Sequence, residues 1–271
     1  MPRDAVIELR FDRFLLPRTA VRQSASLFSG SRDGRVFLEP DYDPVDRALR
    51  LRLPEGDLLQ PGLLYRLELT VPGSDPASDG IRAFDGTPLE EGPLPLDLSF
   101  VTATAEPALG NEPAPPAAPS CEDIAALLRR AGCADCHAGA TPPLGLGLDG
   151  PPALRAMVGR VARQTDRGPY PGRPLVNPAR FGTGMPLVDA ASPSTSYLLY
   201  KVLLADGAYD VEEGSCPAPG DCDPPGVAEL GRLREGFVRG DPMPPPGARL
   251  VGGLGTLRAL AAWIREGARC P

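Results

Sequence analysis

The chain has 271 residues, of which 35 are proline and 31 are glycine, and a formal net charge of −7 at pH 7. This length allows two modest domains, and the proline and glycine content predicts short elements joined by many turns. The acidic balance and the lack of an apolar run of membrane-spanning length argue against a nucleic-acid partner and a membrane span.

The first hundred residues predict short antiparallel strands. VIELRF, which begins at Val6, alternates apolar and charged side chains with a period of two, as a half-buried strand does. The same alternation recurs in ALRLRL from residue 48, LYRLELTV from residue 64 and LPLDLSF from residue 94. Turn signals separate these stretches, and no helical period intervenes, so residues 1–104 predict an all-β antiparallel sandwich.

An acidic stretch, DYDPVD, contains Asp41, Asp43 and Asp46. Three carboxylates so close together suggest a calcium loop, but the glycine and the terminal glutamate of an EF-hand loop are lacking. We therefore interpret the stretch as a solvated acidic turn.

The order of motifs in this half resembles that of a known family. The stretches are FDRFLLPRTAVRQSASLF, YDPVDRALRLRLPEGDLLQPGLLYRLEL, DGTPL and a closing LSFVT. Over residues 4–104 they are similar to bacterial Ig-like domains of surface-layer type. The resemblance implies a spacer or adhesion module that has a cell-envelope component as its partner.

Residues 105–119 are rich in proline and alanine and predict a semi-rigid linker. Residues 120–271 then predict an all-α domain, in which Ser120 followed by Asp123 marks a helix start. Further helical patterns are PPALRAMVGRVARQ from residue 151, SPSTSYLLYKVLLA from residue 192 and LGTLRALAAWIREGA from residue 254. Short helices with long loops form a poor core by themselves, so we expect a large cofactor to complete it.

CADCH contains Cys133, Cys136 and His137, the only histidine of the chain. Cys-x-x-Cys-His is the attachment sequence of c-type haem: the thiols bind the haem vinyl groups and the imidazole binds the iron. Zinc bound together with Cys121 is an alternative, as is a redox dithiol, although the βαβ context of the latter is not visible. We interpret the motif as the attachment site of one haem c.

Residues 121–271 also resemble a small bacterial class I monohaem cytochrome c domain, through CADCH, PPLGLGLDG, SPSTSYLLYKV, DPMPPPG and LRALAAWIREGA. The resemblance implies that Met243, in the Met-Pro loop before the last helix, is the sixth iron ligand. Met185, Lys201 and water are the alternatives. We expect Leu144, Leu146 and Leu148, which follow the motif, to exclude water from the haem edge.

Four cysteines remain outside the motif. An even remainder in an exported protein predicts two disulfides out of three possible pairings. Cys216 with Cys222 would close a small loop, and Cys121 with Cys270 would join the start of the first helix to the end of the last. Free buried thiols are the alternative.

The combined prediction is an extracytoplasmic electron carrier that is not an enzyme, with catalysis at an open haem iron left as a further alternative. Redox proteins would be its partners, and the Ig-like module would act as spacer or partner-binding module. A cell-envelope structural or interaction module with an accessory haem domain is the second hypothesis. We expect a periplasmic or cell-surface location, with a lipid anchor as one option and with the export signal outside this chain, because no signal sequence precedes the first strand.

Overall fold

The computed structural model describes residues 1–30, 34–73, 79–92, 95–105, 117–162, 185–212, 216, 221–238 and 240–271. The chain divides into two compact units. The first consists of residues 1–11, 15–42 and 48–116, and the second of residues 12–14, 43–47 and 117–271. The linker predicted at 105–119 lies largely outside the described residues, and the domain bounds predicted from the sequence, 1–104 and 120–271, stay a prediction.

Seven strands are described. They are β1 (Ile7–Arg10), β2 (Ala25–Ser29), β3 (Arg35–Val36), β4 (Glu39–Asp43), β5 (Ala48–Arg52), β6 (Leu64–Leu69) and β7 (Asp97–Val101). Two antiparallel sheets result, one in the order β1-β5-β4 and one in the order β3-β2-β6-β7. The four alternating stretches of the sequence thus correspond to β1, β5, β6 and β7.

Side-chain alternation creates the core of the first unit. Leu49 and Leu51 on β5, and Tyr65 and Leu67 on β6, are buried, whereas the charged residues between them are more exposed. Buried side chains of both sheets belong to one hydrophobic cluster. The period of two is therefore the pattern by which each sheet turns its apolar face inward.

Six α-helices are described in the second unit. They are α1 (Cys121–Arg130), α2 (Cys133–Cys136), α3 (Pro151–Arg155), α4 (Tyr197–Leu203), α5 (Val227–Gly236) and α6 (Gly253–Arg265). α1 packs against α2, α3 and α6, and α4 packs against α6. No helix among the described residues is long and apolar enough to cross a bilayer.

α1 begins where the sequence predicts it to begin. The Ser120 hydroxyl accepts a hydrogen bond from the Asp123 N–H at 3.2 Å, and the Asp123 carboxylate accepts one from the Ser120 N–H at 2.9 Å. This reciprocal arrangement satisfies backbone donors that a helix start leaves without intrahelical partners. The Ser120 side chain also holds the pKa of the Asp123 carboxyl below its ordinary value.

The predicted fold class is wrong. The chain is mixed α and β, with two antiparallel sheets and six helices in its described part, rather than an all-β sandwich followed by a clear all-α domain. The helix predicted from residue 151 ends at Arg155. Val158 then pairs with Val188, Gly159 takes a left-handed conformation at φ 72°, and Val161 pairs with Pro186. Residues 163 and 164 of that predicted helix lie outside the described residues.

The acidic stretch is not a solvated turn. Asp43 forms an ion pair with Arg265 at 2.6 Å, and its side chain is 4% exposed. Asp46 forms an ion pair with Arg258 at 3.0 Å. Both arginines belong to α6, which explains why residues 43–47 belong to the second unit. In the described part of the chain, no cluster of three or more histidine, cysteine, aspartate or glutamate side chains suits a metal ion.

Candidate functional site

The second unit contains a cavity of about 250 Å³. Its walls come from the end of α1, from α2 and the residues after it, from α4, and from the segment before α6. Most lining side chains are apolar, and the charged ones among them are Arg160 and Lys201. Folded interiors are close-packed, so an apolar space of this size is a candidate site for an apolar ligand.

The turn between α1 and α2 brings both motif cysteines to the cavity. Gly132 has a φ of 75°, a left-handed conformation that costs a glycine little, and Cys133 begins α2 directly after it. Cys133 is partly buried and Cys136 exposed, and neither forms a disulfide. Burial raises the pKa of the Cys133 thiol to about 11, so this thiol is protonated at neutral pH.

His137 lies at the cavity with a defined tautomer. Its Nδ1 is 2.8 Å from the Leu146 carbonyl oxygen. Because a carbonyl oxygen only accepts hydrogen bonds, Nδ1 carries the proton, and the lone pair of the ring belongs to Nε2. A histidine oriented in this way by a backbone carbonyl is typical of a metal ligand.

The segment that follows the CADCH motif forms hydrogen bonds with Arg160. The Arg160 guanidinium donates to the Leu144 carbonyl at 3.0 Å and to the Gly145 carbonyl at 2.8 Å. Leu144 and Leu146 both line the cavity, and Leu144 remains 57% exposed, while their role at a haem edge stays a prediction. The cavity therefore reaches the surface of the second unit at Leu144.

Met243 lines the same cavity, although it lies more than a hundred residues from the motif. Its N–H donates to the Lys201 carbonyl oxygen at 3.1 Å. The Lys201 ammonium donates to the Asp241 carbonyl oxygen at 2.7 Å. Burial lowers the pKa of Lys201 to about 8, and the charge of Asp241 opposes this shift.

The alternative ligands occupy different environments. Met185 is buried and is absent from the described lining, and Met157 is buried as well. Cys121 forms a disulfide with Cys270, which removes it from the zinc set considered for the motif. The other predicted disulfide, between Cys216 and Cys222, is also present.

Sequence patterns miss several residues of the lining. Arg160, Val161 and Tyr197 line the cavity, but they lie in stretches whose sequence predicts helices and does not mark these three as site residues. Lys201, already an alternative iron ligand from the sequence, also stands out there as one cation within the apolar stretch YLLYKVLL.

Comparisons with known proteins add little to this site. No protein-family model matches the chain, and no curated protein matches it either. Among solved structures, the surface layer protein SbsC, domains 1–6, is a weak and partial match, with 15% sequence identity and a TM-score of 0.29. The similarity covers 40% of this chain and 13% of that chain. So low a TM-score carries no argument about fold or function.

Proposed function

We propose that the second unit carries one c-type haem, and that the chain is an extracytoplasmic carrier of single electrons. Cys133 and Cys136 would hold the haem through thioether bonds, and His137 and Met243 would bind its iron. One observation carries the proposal: Cys133, Cys136, His137 and Met243 all line a single, mostly apolar cavity.

The size of the cavity supports a bulky apolar occupant. The volume is about 250 Å³ and the walls are mostly apolar, so an apolar ring system that fills the space removes apolar surface from water.

The residues fit a haem chemically. The protonated Nδ1 of His137 leaves Nε2 available for iron, and Met243 supplies a soft thioether sulfur. A haem with histidine and methionine ligands supplies a reversible one-electron couple of raised potential. The chain's own contribution is to exclude water with Leu146 and Leu148, and to leave an edge accessible to a redox partner at Leu144.

Met243 is a better sixth ligand than the alternatives. Met185 is absent from the described lining, so its sulfur has no support as a ligand. Lys201 does line the cavity, but its ammonium donates to the Asp241 carbonyl. The thioether of Met243 needs no deprotonation before it binds iron.

The two disulfides support a location in an oxidising compartment, outside the cytoplasm. We place the protein in the periplasm or at the cell surface, with a lipid anchor as the attachment to test. The first unit contributes no described residue to the cavity lining. Its role in this proposal is that of a spacer or partner-binding module, and its partners are a cell-envelope component and the redox proteins that exchange electrons with the haem.

Visible spectroscopy tests the proposal. The chain is exported to a periplasm that contains haem-maturation machinery, purified, and titrated between its oxidised and reduced forms. We expect a low-spin c-type spectrum and a reversible one-electron transition. A colourless product, or a high-spin spectrum without a reversible transition, would contradict the proposal.

A further inference from the structure

The chain contains 27 arginines and a single lysine, Lys201. That lysine is also unusual in its position, because it lies in α4 among apolar neighbours and only 7% of its surface is exposed. Lysine side chains are rarely buried to this degree without a partner for the ammonium. The groups that bond to Lys201 therefore indicate the role of this lysine.

Lys201 contacts one short segment at two points. Its carbonyl oxygen accepts the Met243 N–H at 3.1 Å, and its ammonium donates to the Asp241 carbonyl oxygen at 2.7 Å. The negative charge of Asp241 also favours the charged form of the lysine. The side chain and the main chain of one residue thus fix residues 241–243 against α4.

We propose that Lys201 is a positioning residue for the sixth ligand: its ammonium holds the segment that carries Met243, so that the methionine sulfur stays at the iron. This inference rests on the proposed function. It assigns Lys201 a role different from that of an iron ligand, which the sequence left as an alternative.

The backbone hydrogen bond and the side-chain hydrogen bond of Lys201 depend differently on which residue occupies position 201. Any residue at position 201 supplies a carbonyl oxygen for the Met243 N–H, whereas the hydrogen bond to the Asp241 carbonyl needs a long side chain with a donor at its end. The ammonium of lysine is a compact donor on a flexible stem, whereas the guanidinium of arginine is a larger planar fork. An arginine at this position can still donate to a carbonyl, but it does not bind iron, because its guanidinium remains protonated.

This difference between lysine and arginine provides the test. The full-length haem-loaded protein is compared with Lys201→Leu, Lys201→Arg and, as a control for the loss of one cation, Arg234→Leu. Arg234 is exposed on α5 and does not line the cavity. The readouts are covalent haem after denaturation, the sulfur-to-iron charge-transfer band of the oxidised protein, and carbon monoxide binding by the reduced protein.

We expect covalent haem in all four proteins. Lys201→Leu should weaken the charge-transfer band and increase carbon monoxide affinity about tenfold, the factor that one charge-assisted hydrogen bond supplies. Lys201→Arg should restore most of the band, and Arg234→Leu should match the unmodified protein.

Three results would overturn the inference. Unchanged carbon monoxide binding and an unchanged band in Lys201→Leu would show that the ammonium does not position Met243. A band that is absent from the unmodified protein, together with an open iron in Lys201→Arg, would make Lys201 the ligand. Unmodified protein without covalent haem would overturn the proposed function itself, and this inference with it.

A nuclear magnetic resonance measurement on the unmodified protein tests the role of Lys201 even when a variant fails to fold. Because the chain has one lysine, ¹⁵N-lysine labelling gives a single side-chain nitrogen signal. The inference predicts slow exchange of its protons with water, since they are buried and one is bonded to a carbonyl. Exchange as fast as that of a solvated ammonium would contradict it.

Discussion

At the scale of single residues, the proposed function makes Met243 the residue that closes the haem iron to other ligands. Met243→Ala should keep the covalent haem, lower the reduction potential and allow the reduced protein to bind carbon monoxide, because the sixth coordination position loses its sulfur. Optical titration and carbon monoxide difference spectra measure both effects.

Met185→Ala is the matched control. Met185 is buried but is absent from the described cavity lining, so its truncation should cost about 2–5 kcal/mol of stability, as for other core methionines, without opening the iron. An iron that opens in Met185→Ala and stays closed in Met243→Ala would reverse the ligand assignment.

The sequence predicts residues of this site where a motif has a fixed spacing. Cys133, Cys136 and His137 are adjacent in the chain, so the motif alone identifies them. Arg160 bonds to carbonyl groups about fifteen residues away, and Lys201 holds a segment forty residues away. Such contacts depend on tertiary structure, and no local pattern predicts them.

At the scale of elements, the two disulfides differ in the length of chain that they close. Cys121–Cys270 spans 149 residues, whereas Cys216–Cys222 spans six. On the chain-entropy model, replacing the first pair by serine costs up to about 5 kcal/mol, and replacing the second about 2 kcal/mol. Denaturant unfolding of the two double variants measures the difference.

The same variants test whether the four disulfide cysteines are separate in function from Cys133 and Cys136, which are proposed to hold the haem. Both should retain haem, because their cysteines lie outside the attachment motif. Equal losses of stability in the two variants would contradict the entropic explanation.

The elements themselves were predictable where a periodic pattern is long. β5 and β6 follow clean alternation, and α6 follows a helical repeat over thirteen residues. α5 has no recognisable start, with the exposed Val227 at its first position and Gly231 in its middle, and we did not predict it. The helix predicted from residue 151 is too long, because the pairing of Val158 with Val188 replaces its later turns.

At the scale of the whole molecule, short segments of the N-terminal half belong to the second unit. Arg13 pairs with the buried Glu229 at 2.8 Å, and Asp43 pairs with Arg265 at 2.6 Å. Asp43→Asn removes the carboxylate charge 2.6 Å from the Arg265 guanidinium, which is 22% exposed, and should cost about 2 kcal/mol. Thermal unfolding of the haem-loaded protein measures the loss.

Asp41→Asn is the control from the same acidic stretch. Asp41 lies 4.0 Å from Arg52, whose side chain is 46% exposed, so this surface pair should contribute about 0.5 kcal/mol or less. Equal effects of the two substitutions would mean that the Asp43 pair contributes no more than a surface pair. Sequence patterns could not distinguish these two aspartates. Asp43 pairs with Arg265, more than two hundred residues away, whereas Asp41 lies near Arg52, eleven residues away.

The central claim, covalent haem at Cys133 and Cys136, is tested most directly by the intact mass of the protein. The chain is exported with haem-maturation machinery, unfolded in acid and extracted with solvent to remove loosely bound haem. The account predicts the mass of the chain plus one haem, and the mass of the chain alone for the Cys133→Ala/Cys136→Ala variant. The mass of the bare chain for the unmodified protein would contradict it.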